Sequence, residues 1–139
     1  MTLKNTDCYD IIITNKQTID NEKDTIEEKV SGKYYIRNGK KYIIYKNPEV
    51  STMIIVDAKE IIIRRKGNVS SDMHYRCGRK TIFKYRMPYG SVDMEIDTAK
   101  VVDALFENGG TLHIVYTLIM QSGRYNNNMK ITVSEREDK

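Results

Sequence analysis

The stretch Lys80-Thr81-Ile82-Phe83-Lys84-Tyr85-Arg86-Met87-Pro88-Tyr89-Gly90-Ser91-Val92-Asp93-Met94-Glu95-Ile96-Asp97-Thr98 decides the fold. In its second arm Val92, Met94 and Ile96 alternate with Asp93, Glu95 and Asp97, the period of a strand with one dry and one wet face. Pro88-Tyr89-Gly90-Ser91 between the arms is turn chemistry. A hairpin turning at Tyr89-Gly90, or through the four-residue loop Pro88–Ser91, sets Met87 opposite Val92, Tyr85 opposite Met94 and Phe83 opposite Ile96. On the other face Arg86 then meets Asp93 and Lys84 meets Glu95. This pairing explains the acidic ladder without a metal or an acid–base site, each exposed pair contributing about 0.2–1 kcal/mol to fixing the register.

The same grammar runs outward in both directions. Asn38-Gly39, suited to a two-residue turn with positive φ at both positions, separates Thr25–Arg37 from Lys40–Lys46. Asn47-Pro48, Ala58-Lys59, Gly67-Asn68 and Gly78 bound Val50–Asp57, Glu60–Lys66 and Ser71–Cys77. Asn108-Gly109-Gly110 and Gly123 bound Thr111–Gln121 and Asn127–Ser134, and Cys8–Thr14 leads the chain. Val101–Glu107 fits a short helix or a bulged strand and is read as strand. Nine to eleven short strands result, a meandering barrel or sandwich.

Composition agrees. The chain of 139 residues holds 18 Ile, 9 Val, 11 Thr and 10 Tyr against 4 Leu and 3 Ala, a β-rich balance in a length that makes one domain. We expect a single barrel over residues 1–139 with its ordered core at 7–134. No segment reaches the roughly 20 apolar residues of a membrane helix, and the start lacks the apolar run of a secretory signal, so a cytoplasmic location is expected. Cys8 and Cys77 have no neighbours at metal-ligand spacing and are read as reduced thiols, each a small buried hydrophobe. His74 and His113 lie in strands without a nucleophile beside them, no phosphate-binding glycine loop is present, and neither cofactor nor metal is expected.

The formal charge of +4 is unevenly spread: residues 59–86 carry 9 Lys/Arg against 2 Asp/Glu, and residues 87–139 carry 5 against 8. Cross-strand pairing absorbs part of the excess. Arg64, Arg65 and Lys66, with Arg76, Arg79 and Lys80, are left over. A nucleic-acid surface would need aromatics at stacking positions beside them, but Tyr75 and Phe83 read as core-facing alternates, which points away from nucleic acid. Strand parity sends Arg64 and Arg65 to opposite faces, so one of them points inward or sits at a rim.

Ile54-Ile55-Val56 and Ile61-Ile62-Ile63 are apolar on both faces, so this hairpin needs cover on its outer side as well, from another segment or a second subunit.

From Ile61 to Val133 the chain resembles the YwiB-like proteins, a bacterial family found mainly in Firmicutes. The resemblance rests on Ile61-Ile62-Ile63-Arg64-Arg65 followed by a Gly, Met73 before a Gly-containing turn, Tyr85-Arg86-Met87-Pro88-Tyr89-Gly90 and Thr98. It continues through Gly110 before Leu112-His113-Ile114-Val115-Tyr116, and Asn128-Met129-Lys130-Ile131. Order and spacing agree over about 75 residues. The resemblance implies a calycin-type antiparallel barrel similar to lipocalins, and no reaction, cofactor or ligand.

The expectation is therefore an all-β, up-and-down, lipocalin-like barrel of about ten strands that is not an enzyme. It is expected to bind a small amphipathic or anionic molecule in its interior, in a cavity of at least about 300 Å³ lined by Tyr85, Tyr116 and Arg65. The alternative is a filled barrel that acts through protein contacts, as a homodimer built on the Met53–Ile63 hairpin.

Overall fold

A computed structural model describes Tyr9 to Arg136. These residues form ten antiparallel strands: β1 (Tyr9–Ile19), β2 (Glu22–Arg37), β3 (Lys40–Lys46), β4 (Val50–Val56), β5 (Ile61–Gly67), β6 (Ser71–Tyr75), β7 (Lys80–Met87), β8 (Gly90–Phe106), β9 (Gly109–Met120) and β10 (Gly123–Glu135). They pair in the order β6-β5-β4-β3-β2-β1-β10-β9-β8-β7. Strands consecutive in the chain thus pair throughout except β6 and β7, which are the sheet's two edges, and β1 also pairs with β10. The edges meet at one bridge, where Ser70 N donates to Arg86 O at 3.0 Å and Arg86 N to Ser70 O at 2.9 Å. Thr81 Oγ1 adds a bond to the His74 carbonyl. The result is an up-and-down barrel with one thin seam, and no helix among the described residues is long and apolar enough to cross a membrane.

Alternation fills the inside. Ile11, Ile43, Ile54, Ile63, Ile96 and Ile114 are at most 1% exposed, each burial contributing about 1.5–3 kcal/mol. One end of the barrel is strapped: Lys41 Nζ of β3 lies 2.9 Å from Asp103 Oδ2 of β8 and 2.8 Å from the Leu105 carbonyl, although β3 and β8 are not neighbours in the sheet. Tyr34 Oη reinforces the strap with a 2.6 Å bond to the Phe106 carbonyl. Gly32 is needed where β2 crosses the core, since a Cβ there would stand 2.3 Å from the Ile44 carbonyl oxygen and 2.6 Å from Ile11 Cδ1.

Several expectations need correction. Asp20 and Asn21, with φ of 48° and 69°, form a two-residue turn not anticipated, which makes β1 and β2 one long hairpin. Its polar far end is held by the buried Asn127, whose Oδ1 accepts from Asn15 Nδ2 and Gln17 Nε2, both at 3.0 Å. Val92–Thr98 and Val101–Glu107 are one strand, β8, broken only by a register shift between Thr98 and Lys100. The β7–β8 turn is Pro88-Tyr89, so the pairing lies two residues from the expected one: Met87 faces Gly90, Tyr85 faces Val92 and Phe83 faces Met94. The faces survive because the slip is even. Arg86 meets Ser91, Lys84 meets Asp93 in a 3.0 Å ion pair, and Glu95 lies opposite Ile82. Cys77 is exposed and unbridged, because β6 ends at Tyr75 and the thiol sits in the following turn. Cys8 lies outside the described residues.

Candidate anion site at the barrel seam

Parity within β5 resolves the arginine pair. Arg65 is in phase with the buried Ile61 and Ile63 and faces inward, whereas Arg64 faces outward, its Nε 2.7 Å from Asp72 Oδ1. The ladders place Tyr45 opposite Thr52, Thr52 opposite Arg65, and Arg65 opposite Ser71. A polar inner row therefore crosses β3 to β6 at the end of the barrel away from the Lys41 strap.

Next to this row, the Met73 sulfur lies 3.6 Å from Arg65 Nη1 and 3.7 Å from Tyr75 Oη. The Tyr75 ring packs edge-on against Tyr116, centroids 4.9 Å apart. Burial pushes the Tyr75 hydroxyl well above its ordinary range, with the neighbouring Tyr116 adding and Arg65 opposing. Burial likewise raises Tyr116 and Tyr45, again against the pull of Arg65. At neutral pH the cluster thus offers phenolic O–H and guanidinium N–H groups and no base. Such a set of donors accommodates an acceptor, and an anion most strongly.

Outside the row, at the seam, a groove of about 450 Å³ is lined by Arg64, Arg65, Lys66, Lys84 and Arg86, with Asp72, Ser70 and Ser71. It opens to solvent and does not form an enclosed chamber. A second open groove, of about 580 Å³, runs past Val30, Ile44 and Pro48 and carries only Lys33 and Lys46 as cations.

Of the expected lining residues, Arg65 and Tyr116 come together. Tyr85 is half-buried on the inner face of β7 against the core; the Ser70–Arg86 bridge sets it across the seam from Ser71, and among the described residues no hydrogen bond or ring contact links it to Arg65 or Tyr116. The leftover cations also divide. Arg64, Arg65 and Lys66 reach the groove, joined by Lys84 and Arg86, whereas Arg76 is taken by Glu60 at 2.8 Å beyond the other end of β6. The Arg76 bond, with His74 helping at 3.2 Å, holds the Glu60 carboxyl below its ordinary value despite the opposing desolvation. Tyr45, Thr52 and Ser71 were missed. The inward phase of Ile54 and Ile63 could have found Thr52, but Tyr45 and Ser71 require the register across two further strands. Among the described residues no group of three His, Cys, Asp or Glu could hold a metal.

Residues 11–133 match the family described as Domain of unknown function (DUF1934). The chain belongs to the DUF1934 family. This DUF1934 chain is similar to the Uncharacterized beta-barrel protein YwiB of Bacillus subtilis (strain 168), 28% identical over 118 residues that cover 81% of this chain and 83% of that protein. The crystal structure of ywiB protein from Bacillus subtilis matches the DUF1934 barrel with a TM-score of 0.86 at 25% identity, over 93% of this chain and 92% of that one. The resemblance read from Ile61 to Val133 is thereby borne out, and it extends to Ile11.

Proposed function

We propose that this barrel binds a small anionic molecule, or the anionic head of a small amphipathic one, where the seam groove meets the interior. Arg65 carries the reading. Among the described residues no carboxylate pairs with this inward guanidinium, and its neighbours Tyr45, Tyr75 and Tyr116 are phenols, protonated at neutral pH, whose ionisation burial pushes further into the alkaline range. Arg65 is half-buried at this end of the barrel, so its partly desolvated guanidinium gains from a bound anion. Arg65 would meet the ligand where the groove opens, with Tyr75 and Tyr116 packed behind it. In this reading the protein acts by binding in the cytoplasm, without catalysis.

The test is a native mass spectrum of gently purified protein compared with its denatured mass. The expected result is a non-covalent excess, on the order of a few hundred daltons, that disappears on denaturation and in Arg65→Met. An identical mass in both spectra, or an excess that Arg65→Met leaves in place, overturns the reading.

A second reading, a homodimerisation module, has one observation in its favour. Tyr42, Ile55 and Ile62 lie side by side on the outer face of β3, β4 and β5.

A further inference from the structure

Three features of the seam point to a more specific ligand, and the inference from them rests on the anion-binding reading above. We infer that the groove is a site for a small molecule bearing two linked phosphoryl groups, the chemistry shared by inorganic pyrophosphate and a nucleoside diphosphate.

The first feature is the number of uncompensated charges. Arg64 is committed to Asp72 and Lys84 to Asp93. Arg65, Lys66 and Arg86 remain, and among the described residues none of them has a carboxylate partner. One carboxylate would neutralise one of the three, whereas a diphosphate carries about three charges near neutral pH.

The second is Ser71. Its residue is 7% exposed, and Oγ is buried without a hydrogen-bond partner among the described residues. It lines the groove and stands directly across the β5–β6 ladder from Arg65. Buried hydroxyls are almost always satisfied; of the three orphans among the described residues, Asn15 Oδ1, Ser71 Oγ and Thr98 Oγ1, Ser71 Oγ is the one across from an inward guanidinium, and a turn of its side chain toward the groove brings it to a ligand oxygen.

The third is geometry. A tetrahedral phosphoryl group presents three terminal oxygens, enough to accept from the Arg65 fork and the Ser71 hydroxyl together. A second linked group then lies toward Lys66 and Arg86 at the groove's mouth. A planar carboxylate engaged by the fork keeps one lone pair on each oxygen, both in the plane of the fork, and so offers the Ser71 hydroxyl fewer directions than a third phosphoryl oxygen does.

The test is calorimetric titration of the whole protein with pyrophosphate, ADP, citrate and a short single-stranded oligonucleotide at about 50 mM salt, where screening is modest. Pyrophosphate and ADP are expected to bind one to one, with citrate at least about tenfold weaker, the worth of one charge-assisted bond. Ser71→Ala should weaken pyrophosphate by about tenfold and leave the thermal midpoint of the ligand-free protein unchanged or raised, because it removes an unsatisfied group. Tighter binding of ADP than of pyrophosphate assigns the nucleotide as the source, and equal binding assigns the diphosphate alone. Citrate matching pyrophosphate overturns the phosphoryl inference while anion binding stands. No binding by any of the four overturns both. An oligonucleotide preferred over ADP, or loss of affinity in Arg86→Ala with none in Ser71→Ala, overturns the inference in favour of a diffuse charged surface.

Discussion

Ser70 and Arg86 exchange both main-chain hydrogen bonds, at 3.0 and 2.9 Å, and these two bonds are the main-chain join between the edges of the sheet. Every other joint is a ladder, and β8 with β9 runs through eleven paired residues on each strand. Ser70→Pro removes one of the donors and keeps the turn extended. We expect a loss of about 1–3 kcal/mol, with amide exchange accelerated in β6 and β7 and unchanged in β9 and β10. Uniform acceleration over all strands would mean that the seam is not a separate unit.

The tyrosines make the barrel sensitive to alkali. Burial pushes Tyr34 up to about 12, Asp103 adding to the effect, and Tyr45, Tyr75 and Tyr116 are raised as well. For a raised pKa the folded state holds the proton longer. The contribution to stability is therefore whole below the unfolded value of 10.0 and is lost as pH climbs from there through the folded value. Phenolate absorbance, unobscured because the chain has no Trp, should show a late group of tyrosines ionising together with unfolding. Reversible titration of all ten near the ordinary value would contradict the buried cluster.

Gly32→Ala tests the crossing of β2 over the core. The added methyl meets main-chain oxygen on one side and Ile11 on the other, and the carbonyl belongs to a paired strand that cannot yield alone. We expect about 2–3 kcal/mol of destabilisation by chemical denaturation. Because Gly32 faces Tyr45 at the head of the polar row, anion affinity should fall as well. A variant of normal stability would show that β2 has slack.

Ile55 and Ile62 are cross-strand neighbours, and both point outward, half-buried by the side chains around them. The dimer reading predicts that the native protein sediments as a dimer and that Ile55→Lys yields a monomer with the same circular dichroism spectrum. A native protein that is monomeric at every concentration removes that reading and leaves the row as part of the barrel's own surface.

Much of this barrel is legible one strand at a time. Asn38-Gly39 declares its turn, and Leu112, Ile114 and Tyr116 declare their face, because both signals are local. The β7–β8 register was misjudged because the chain turns at Pro88-Tyr89, whereas a turn at Tyr89-Gly90 or the four-residue loop Pro88–Ser91 both set Met87 two residues further along, opposite Val92. Parity is insensitive to that difference, so the faces were right and the partners were not. Asp20-Asn21 was overlooked because neither residue needs the left-handed region, and here the long β1–β2 hairpin imposes it. Arg65 could be narrowed to one of two positions from β5 alone. Its company of Tyr45, Thr52 and Ser71 depends on the stagger of four successive strands, a global property that no short window contains.

The pairing of β1 with β10, with Tyr9 opposite Glu135, puts the beginning and end of the barrel side by side in the middle of the sheet. During synthesis β1 therefore waits with one edge open until the last strand has left the ribosome. The β1–β6 meander can form early, but the ring cannot close before residue 135 has been made. Joining positions so far apart in the chain makes closure the slow step of folding. The nascent six-stranded sheet, with its apolar inner face uncovered, is the species a chaperone would meet.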